Sequence, residues 1–192
     1  MMSGVRSWLG IAALIAAATP ASVATARPNV IVILCDDVGY GDLACHGNKV
    51  IRTPNIDRLH AESARFTDFH SAPFCTPTRS QLMTGCDALG NGATRVVGGR
   101  SFIRPEIPTM AELFAAAGYG TGMFGKWHLG DNAPHRPHDR GFQVAKYHLG
   151  WGYAAAQELM NGYFDSVYRE NGVPRRFEGF CTDFWFDSAW RG

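Results

Sequence analysis

Val30 to Leu34 is an unbroken run of β-branched and apolar side chains, and it constrains the fold more than any other stretch. A strand with one solvated face alternates polar and apolar residues. A continuous apolar run instead expects burial on both faces, as for a strand inside a parallel or mixed sheet. The run starts after Asn29 and ends in Cys35-Asp36-Asp37-Val38-Gly39-Tyr40-Gly41-Asp42, where the glycines allow a sharp turn. In open α/β sheets the crevice beyond the carboxyl ends of the strands is where ligands bind. Two adjacent carboxylates closing a buried strand repel each other unless a cation compensates them. Their all-oxygen chemistry suits a hard ion such as Ca²⁺ or Mg²⁺. Asp36 and Asp37 are therefore candidate metal ligands.

Further elements alternate along the chain. Thr53-Pro54 reads as an N-cap followed by proline at the first helical position, and Ile56 and Leu59 give that helix an apolar face. Arg65 to His70 alternates like a short strand. Thr78 to Met83 is helical and is closed by Gly85. Thr109-x-x-Glu112 is a capping box that opens a helix through Ala117, with Gly118 as its stop. Tyr119 to Phe124 reads as a strand running into Gly125-Lys126, and Cys181 to Arg191 as the start of a further helix. The order strand, helix, strand, helix, helix, strand predicts an α/β sandwich, a central sheet flanked by helices.

Residues 1–26 carry one charge, Arg6, then an apolar core from Trp8 to Ala18 and a small-x-small site, Ala24-Thr25-Ala26. This is the pattern of a cleaved secretory signal peptide, and the core is short for a membrane span. Export to the periplasm or beyond is expected, with no membrane attachment after cleavage. Residues 27–192 then form one domain without repeats or charge blocks. Removing Arg6 from the 18 basic residues leaves 17 against 17 acidic ones, a balance that points away from nucleic acid and anionic membranes. The five cysteines (35, 45, 75, 86 and 181) are irregularly spaced, and their odd number leaves at least one thiol unpaired or modified.

Cys75 is the candidate for that role. A cysteine where a helix begins, four residues before Arg79, sits in positive potential that favours a nucleophile or an anion. Arg79 returns to the same side about one turn later, and Pro77 is expected to hold the segment extended before the helix. Gly125-Lys126-Trp127-His128-Leu129-Gly130 adds a second cation and an imidazole just after a strand. Cys75, Arg79, Lys126 and His128 are therefore the candidate catalytic residues. His135 and His138 read as loop residues. His148 precedes a Gly-Trp-Gly turn, and a place lining the substrate entrance is the lesser of its readings.

Cys75-Thr-Pro-Thr-Arg79, with Gly85 six residues further on, resembles the first signature of the formylglycine-dependent sulfatases. Gly118 to Gly130 is similar to the second signature, and Asp36-Asp37-Val-Gly39-Tyr-Gly41-Asp42 to the family's metal-binding start. Thr53-Pro54-Asn55-Ile56-Asp57-Arg58-Leu59 is also typical of the family, so the resemblance runs from about Asn29 onward. It implies an alkaline-phosphatase-like sandwich with a mixed central sheet. It also implies conversion of Cys75 by a formylglycine-generating or equivalent maturation enzyme. The resulting aldehyde hydrates to a geminal diol that attacks the sulfur of a sulfate ester. Asp36 and Asp37 would hold Ca²⁺, ahead of Mg²⁺; Arg79 and Lys126 would hold diol and sulfate; His128 would position the diol and act as base.

Sulfatases of this type are more than twice as long, and complete their metal shell with a later Asp-Asn pair and a further lysine and histidine. None of these is found here: Asn171, Asp183 and Asp187 stand in the wrong context. Residues 27–192 are therefore expected to be a truncated catalytic domain, inactive by itself. Two other functions fit the same residues: hydrolysis of a phosphate monoester or phosphonate on the same fold, and non-catalytic binding of sulfated glycans by an exported module.

Overall fold

The computed structural model describes residues 27–96, 102–150 and 161–191. The leader segment expected at residues 1–26 lies outside them. The chain divides into two compact units, Met1–Asp37 and Val38–Gly192.

In the first unit, residues 27–35 carry no regular secondary structure and Asp36–Asp37 form a bend; none of them belongs to the four-stranded sheet. The Val30–Leu34 run is therefore not assigned as a strand, and its side chains are exposed, Ile31 by 83%. The reason is physical: backbone N–H and C=O groups make a strand only when a neighbour pairs with them, whatever the side-chain pattern.

Among its described residues the second unit holds five α-helices: α1 (Pro54–Glu62), α2 (Cys75–Thr84), α3 (Ala88–Asn91), α4 (Met110–Ala116) and α5 (Cys181–Arg191). Its strands are β1 (Gly122–Lys126), β2 (Val144–His148), β3 (Val167–Glu170) and β4 (Val173–Arg176). They form one sheet in the order β1-β2-β3-β4. β1 and β2 are parallel and in register from Gly122↔Val144 to Lys126↔His148, while β2–β3 and β3–β4 are antiparallel. The class is α/β with a mixed sheet. Among the described residues no helix is long and apolar enough to cross a membrane.

Local chemistry explains several boundaries. In α4, Thr109 Oγ1 accepts from Glu112 N at 3.2 Å and Glu112 Oε2 from Thr109 N at 2.6 Å, the expected reciprocal cap, an arrangement contributing about 1 kcal/mol. α2 ends where Gly85 turns left-handed (φ 66°), with its N–H on Gln81 O. α2 begins earlier than expected, at Cys75. Pro77 is its third residue rather than part of an extended lead-in, because first-turn N–H groups need no intrahelical partner and proline is tolerated there. Arg65 to His70 forms turn and irregular backbone instead of a strand. β1 starts at Gly122, three residues later than expected.

The β3–β4 hairpin closes on Asn171-Gly172, both left-handed (φ 46° and 87°), as a two-residue turn between twisted strands requires. Asn171 is therefore a turn residue. Its Oδ1 accepts from Ala145 N at 2.8 Å, tying the hairpin to β2. β4 is the edge strand and tolerates Pro174 for that reason.

The core lies at the carboxyl end of the parallel pair and gathers Ile103, Ala111, Trp127, Leu129, Phe142, Ala145, Tyr147 and Leu149. Trp127 is fully buried and its indole Nε1 donates to His135 O at 2.8 Å, so burial leaves no polar atom unsatisfied there. α5 packs beside this sheet through aromatics, with Trp185 4.3 Å from the Tyr168 ring and Phe184 4.0 Å from Phe177.

Candidate active site

Lys126 is the last residue of β1, and the parallel register puts it level with His148 at the carboxyl edge of the sheet. The chain then turns through His128, whose φ of 58° is left-handed. For a residue with a Cβ that conformation costs energy and persists only where its surroundings enforce it. The enforcing contacts are present. Trp127 N donates to His148 O (3.0 Å) and His128 N to Leu149 O (3.1 Å), which extends the β1–β2 pairing past the strand. Gly130 (φ 120°) completes the turn, and a Cβ there would run into the Cβ of His135.

α2 is joined to this turn at two points. Thr76, fully buried, donates from Oγ1 to His128 O at 3.0 Å. Arg79 donates from Nη1 to Lys126 O at 2.6 Å. Both acceptors are backbone carbonyls. The result is that the first residue of α2 faces the last residue of β1: Lys126 Nζ donates to Cys75 Sγ at 3.3 Å. Cys75 is a half-buried free thiol, as free as the other four cysteines. His128 is 5% exposed and its Nε2 lies 3.1 Å from Val96 O. A carbonyl only accepts, so Nε2 carries the proton, and in the neutral ring Nδ1 carries the lone pair.

The structure thus brings together four expected residues, Cys75, Arg79, Lys126 and His128, in the second unit. Lys126 reaches the Cys75 thiol directly, while Arg79 and Thr76 tie α2 to the carbonyls of Lys126 and His128. Such a constellation can stabilise an anion, hold a charged tetrahedral group and accept a proton. Asp36 and Asp37 close the first unit. Both are exposed, and Asp37 is left-handed at φ 57°, which aspartate tolerates better than most residues. His148 is buried at the end of β2, its ring 6.3 Å from Trp185, and so does not line an open entrance. His135 and His138 lie in the connection between β1 and β2, His135 at a bend and His138 within a short 3₁₀ helix (Pro137–Asp139) instead of a loop.

Sequence reasoning missed Thr76. No periodicity singles out a threonine between a cysteine and a proline, and its role is visible only as a hydrogen bond across 52 residues of sequence.

A family model described as sulfatase matches residues 28–187. Arylsulfatase G of Canis lupus familiaris is 42% identical over 134 residues, covering 67% of this chain and 24% of that protein. Arylsulfatase A of Homo sapiens is 47% identical over 118 residues, 59% of this chain and 23% of that protein. The chain thus spans about a quarter of the length of the curated relatives it matches. Among solved structures, Ps i-CgsB aligns over 86% of this chain and 42% of its own, with TM-score 0.73 and 30% identity. The structure of BT4656 in complex with its substrate D-glucosamine-2-N,6-O-disulfate aligns over 86% of this chain and 31% of its own, with TM-score 0.71 and 30% identity.

Proposed function

Because this chain belongs to the sulfatase family, we propose that it carries the nucleophile half of a sulfuric ester hydrolase site. The observation that carries the proposal is the 3.3 Å approach of the Lys126 ammonium to Cys75 Sγ at the start of α2. It puts a fixed positive charge on the atom that must become, or hold, an anion.

Cys75 is proposed to be converted to formylglycine by a maturation enzyme. The hydrated aldehyde supplies one hydroxyl that displaces the alcohol from sulfur and a second that releases sulfate. This covalent route divides one difficult hydrolysis into two easier steps. Lys126 and Arg79 neutralise the sulfuryl oxygens as negative charge builds on them. Arg79 does so from a guanidinium already anchored on Lys126 O, which limits reorganisation. His128 keeps its Nε2 proton on Val96 O and takes a proton at Nδ1.

Asp36 and Asp37 suit a hard divalent cation, Ca²⁺ ahead of Mg²⁺, because they are adjacent carboxylates and offer only oxygen. Two residues supply only part of the six to eight ligands that Ca²⁺ takes. Bound there, the cation would supply positive charge. Export through the leader at residues 1–26 is part of the same proposal. BT4656 takes a sulfated sugar; a sulfate ester is proposed as the substrate here.

The test is to isolate the complete protein from a host that exports it, determine the mass of the Cys75 peptide, and compare turnover of an aryl sulfate and an aryl phosphate. The proposal expects a converted residue, faster sulfate turnover, and a loss of about 10²–10³-fold in kcat on Lys126→Met. An unmodified thiol in a protein that turns over neither ester would refute it. Preferred turnover of the phosphate would move the activity to phosphorus.

A further inference from the structure

Away from the candidate active site, Cys45 and His46 end a short 3₁₀ turn (Ala44–His46), and His60 lies in the last turn of α1. The Cys45 thiol and the two imidazoles each present a ligand atom, and all three atoms lie within 4.8 Å of one another. All three residues are half-buried.

The juxtaposition is held by backbone contacts. Ala44 N donates to Thr53 Oγ1 (3.0 Å), Thr53 Oγ1 donates to Asp57 Oδ1 (2.8 Å), and Cys45 N donates to the same Asp57 oxygen (2.9 Å). The 3₁₀ turn is therefore fastened to the first turns of α1, one face below His60. His46 is further fixed by its ring, which stacks on Tyr40 at 3.8 Å and meets the His60 ring edge-on at 5.5 Å.

The hydrogen bonds also set the tautomers. His46 Nδ1 lies 2.9 Å from Tyr40 O, which can only accept, so Nδ1 holds the proton and Nε2 the lone pair. An imidazole whose far nitrogen is tied to a carbonyl is the arrangement seen around metal-bound histidines. His60 Nε2 receives Arg65 Nη1 at 2.9 Å, so it too presents a lone pair, and Arg65 is an exposed side chain able to turn away. Cys45 is a free thiol. A cation must therefore displace the thiol proton, one proton leaving to solvent as the sulfur–metal bond forms.

We propose that Cys45, His46 and His60 form a second cation site, for a borderline divalent ion such as Zn²⁺, that locks the 3₁₀ turn onto α1. One thiolate and two neutral imidazoles suit Zn²⁺ and exclude Ca²⁺ and Mg²⁺, which take oxygen, so the site is chemically distinct from the Asp36–Asp37 pair. Three protein ligands leave a fourth position to water. The site does not depend on sulfatase activity.

Co²⁺ added to the metal-free chain under reducing conditions is the direct probe, because a thiolate ligand gives a near-ultraviolet sulfur-to-cobalt charge-transfer band. The band is expected in the wild type and in Cys75→Ser, is removed by competing Zn²⁺, and is lost in Cys45→Ser. His60→Gln and His46→Gln should each weaken Zn²⁺ binding by at least ~10-fold, with far-ultraviolet circular dichroism showing that the variants fold. If Cys45→Ser does not fold, the two histidine variants decide. No band in the wild type, a band surviving in Cys45→Ser, or unchanged affinity in both histidine variants would overturn the site.

Discussion

Thr76 Oγ1 donates to the carbonyl oxygen of His128 across 52 residues of sequence, with both residues buried. Thr76→Val keeps the shape and removes the donor, leaving a buried carbonyl unsatisfied. It should destabilise the chain by about 1–3 kcal/mol, read as a lower urea midpoint at an unchanged slope. A midpoint equal to wild type would mean that the hydroxyl does not fasten α2 to the turn.

Gly141 is a second point where the fold has no slack. Its φ is 95°, and a Cβ there would sit 2.6 Å from Ala111 C and 2.7 Å from Glu112 Cα, inside the first turn of α4. Backbone atoms cannot rotate away as a side chain can. Gly141→Ala should therefore cost about 3 kcal/mol or more, combining strain with overpacking. Loss of the cooperative transition, or recovery of the variant only as aggregate, is the expected result. A stable Gly141→Ala protein would contradict this packing.

Acid should weaken the β1–β2 connection. His135 is held below the ordinary imidazole range by burial and then by the charge of Arg140, and His138 by burial and then by Arg136. Groups with depressed folded values bind protons more readily in the unfolded chain. Their contribution is therefore present above the unfolded value and is lost as pH falls from about 6.5 toward the folded values. Asp139, held low chiefly by its hydrogen bond to Arg136, loses its contribution only below the ordinary carboxylate range. Urea midpoints should drop between about pH 7 and pH 5, and the drop should shrink in the double variant His135→Gln, His138→Gln. An equal drop in that variant would place the titrating groups elsewhere.

The clearest elements in the sequence are those fixed by short-range chemistry. The Thr109–Glu112 cap and the left-handed Gly85 were both legible, because each motif is completed within one turn of helix. Cys75, Arg79, Lys126 and His128 were legible as motifs, but the 3.3 Å distance joining two of them was not, because it depends on the β1–β2 register and on Thr76. The Val30–Leu34 run misled for the opposite reason: its pattern is that of a buried strand, while its pairing depends on neighbours that no local pattern encodes. The β3–β4 hairpin carries a usable signal in Asn171-Gly172, a pair suited to a two-residue left-handed turn. Pro77 lies in the first turn of α2 rather than in an extended lead-in, because the first-turn N–H it lacks has no intrahelical partner anyway.

Both tethers between α2 and the β1 exit end on main-chain oxygens, those of residues 126 and 128. These two tethers are thus independent of which side chains those residues bear, unlike the Lys126–Cys75 contact. Under the proposed function, exchanging the ammonium or the imidazole alters reactivity while these two tethers remain, so the segment can be retuned for a new reagent without being rebuilt.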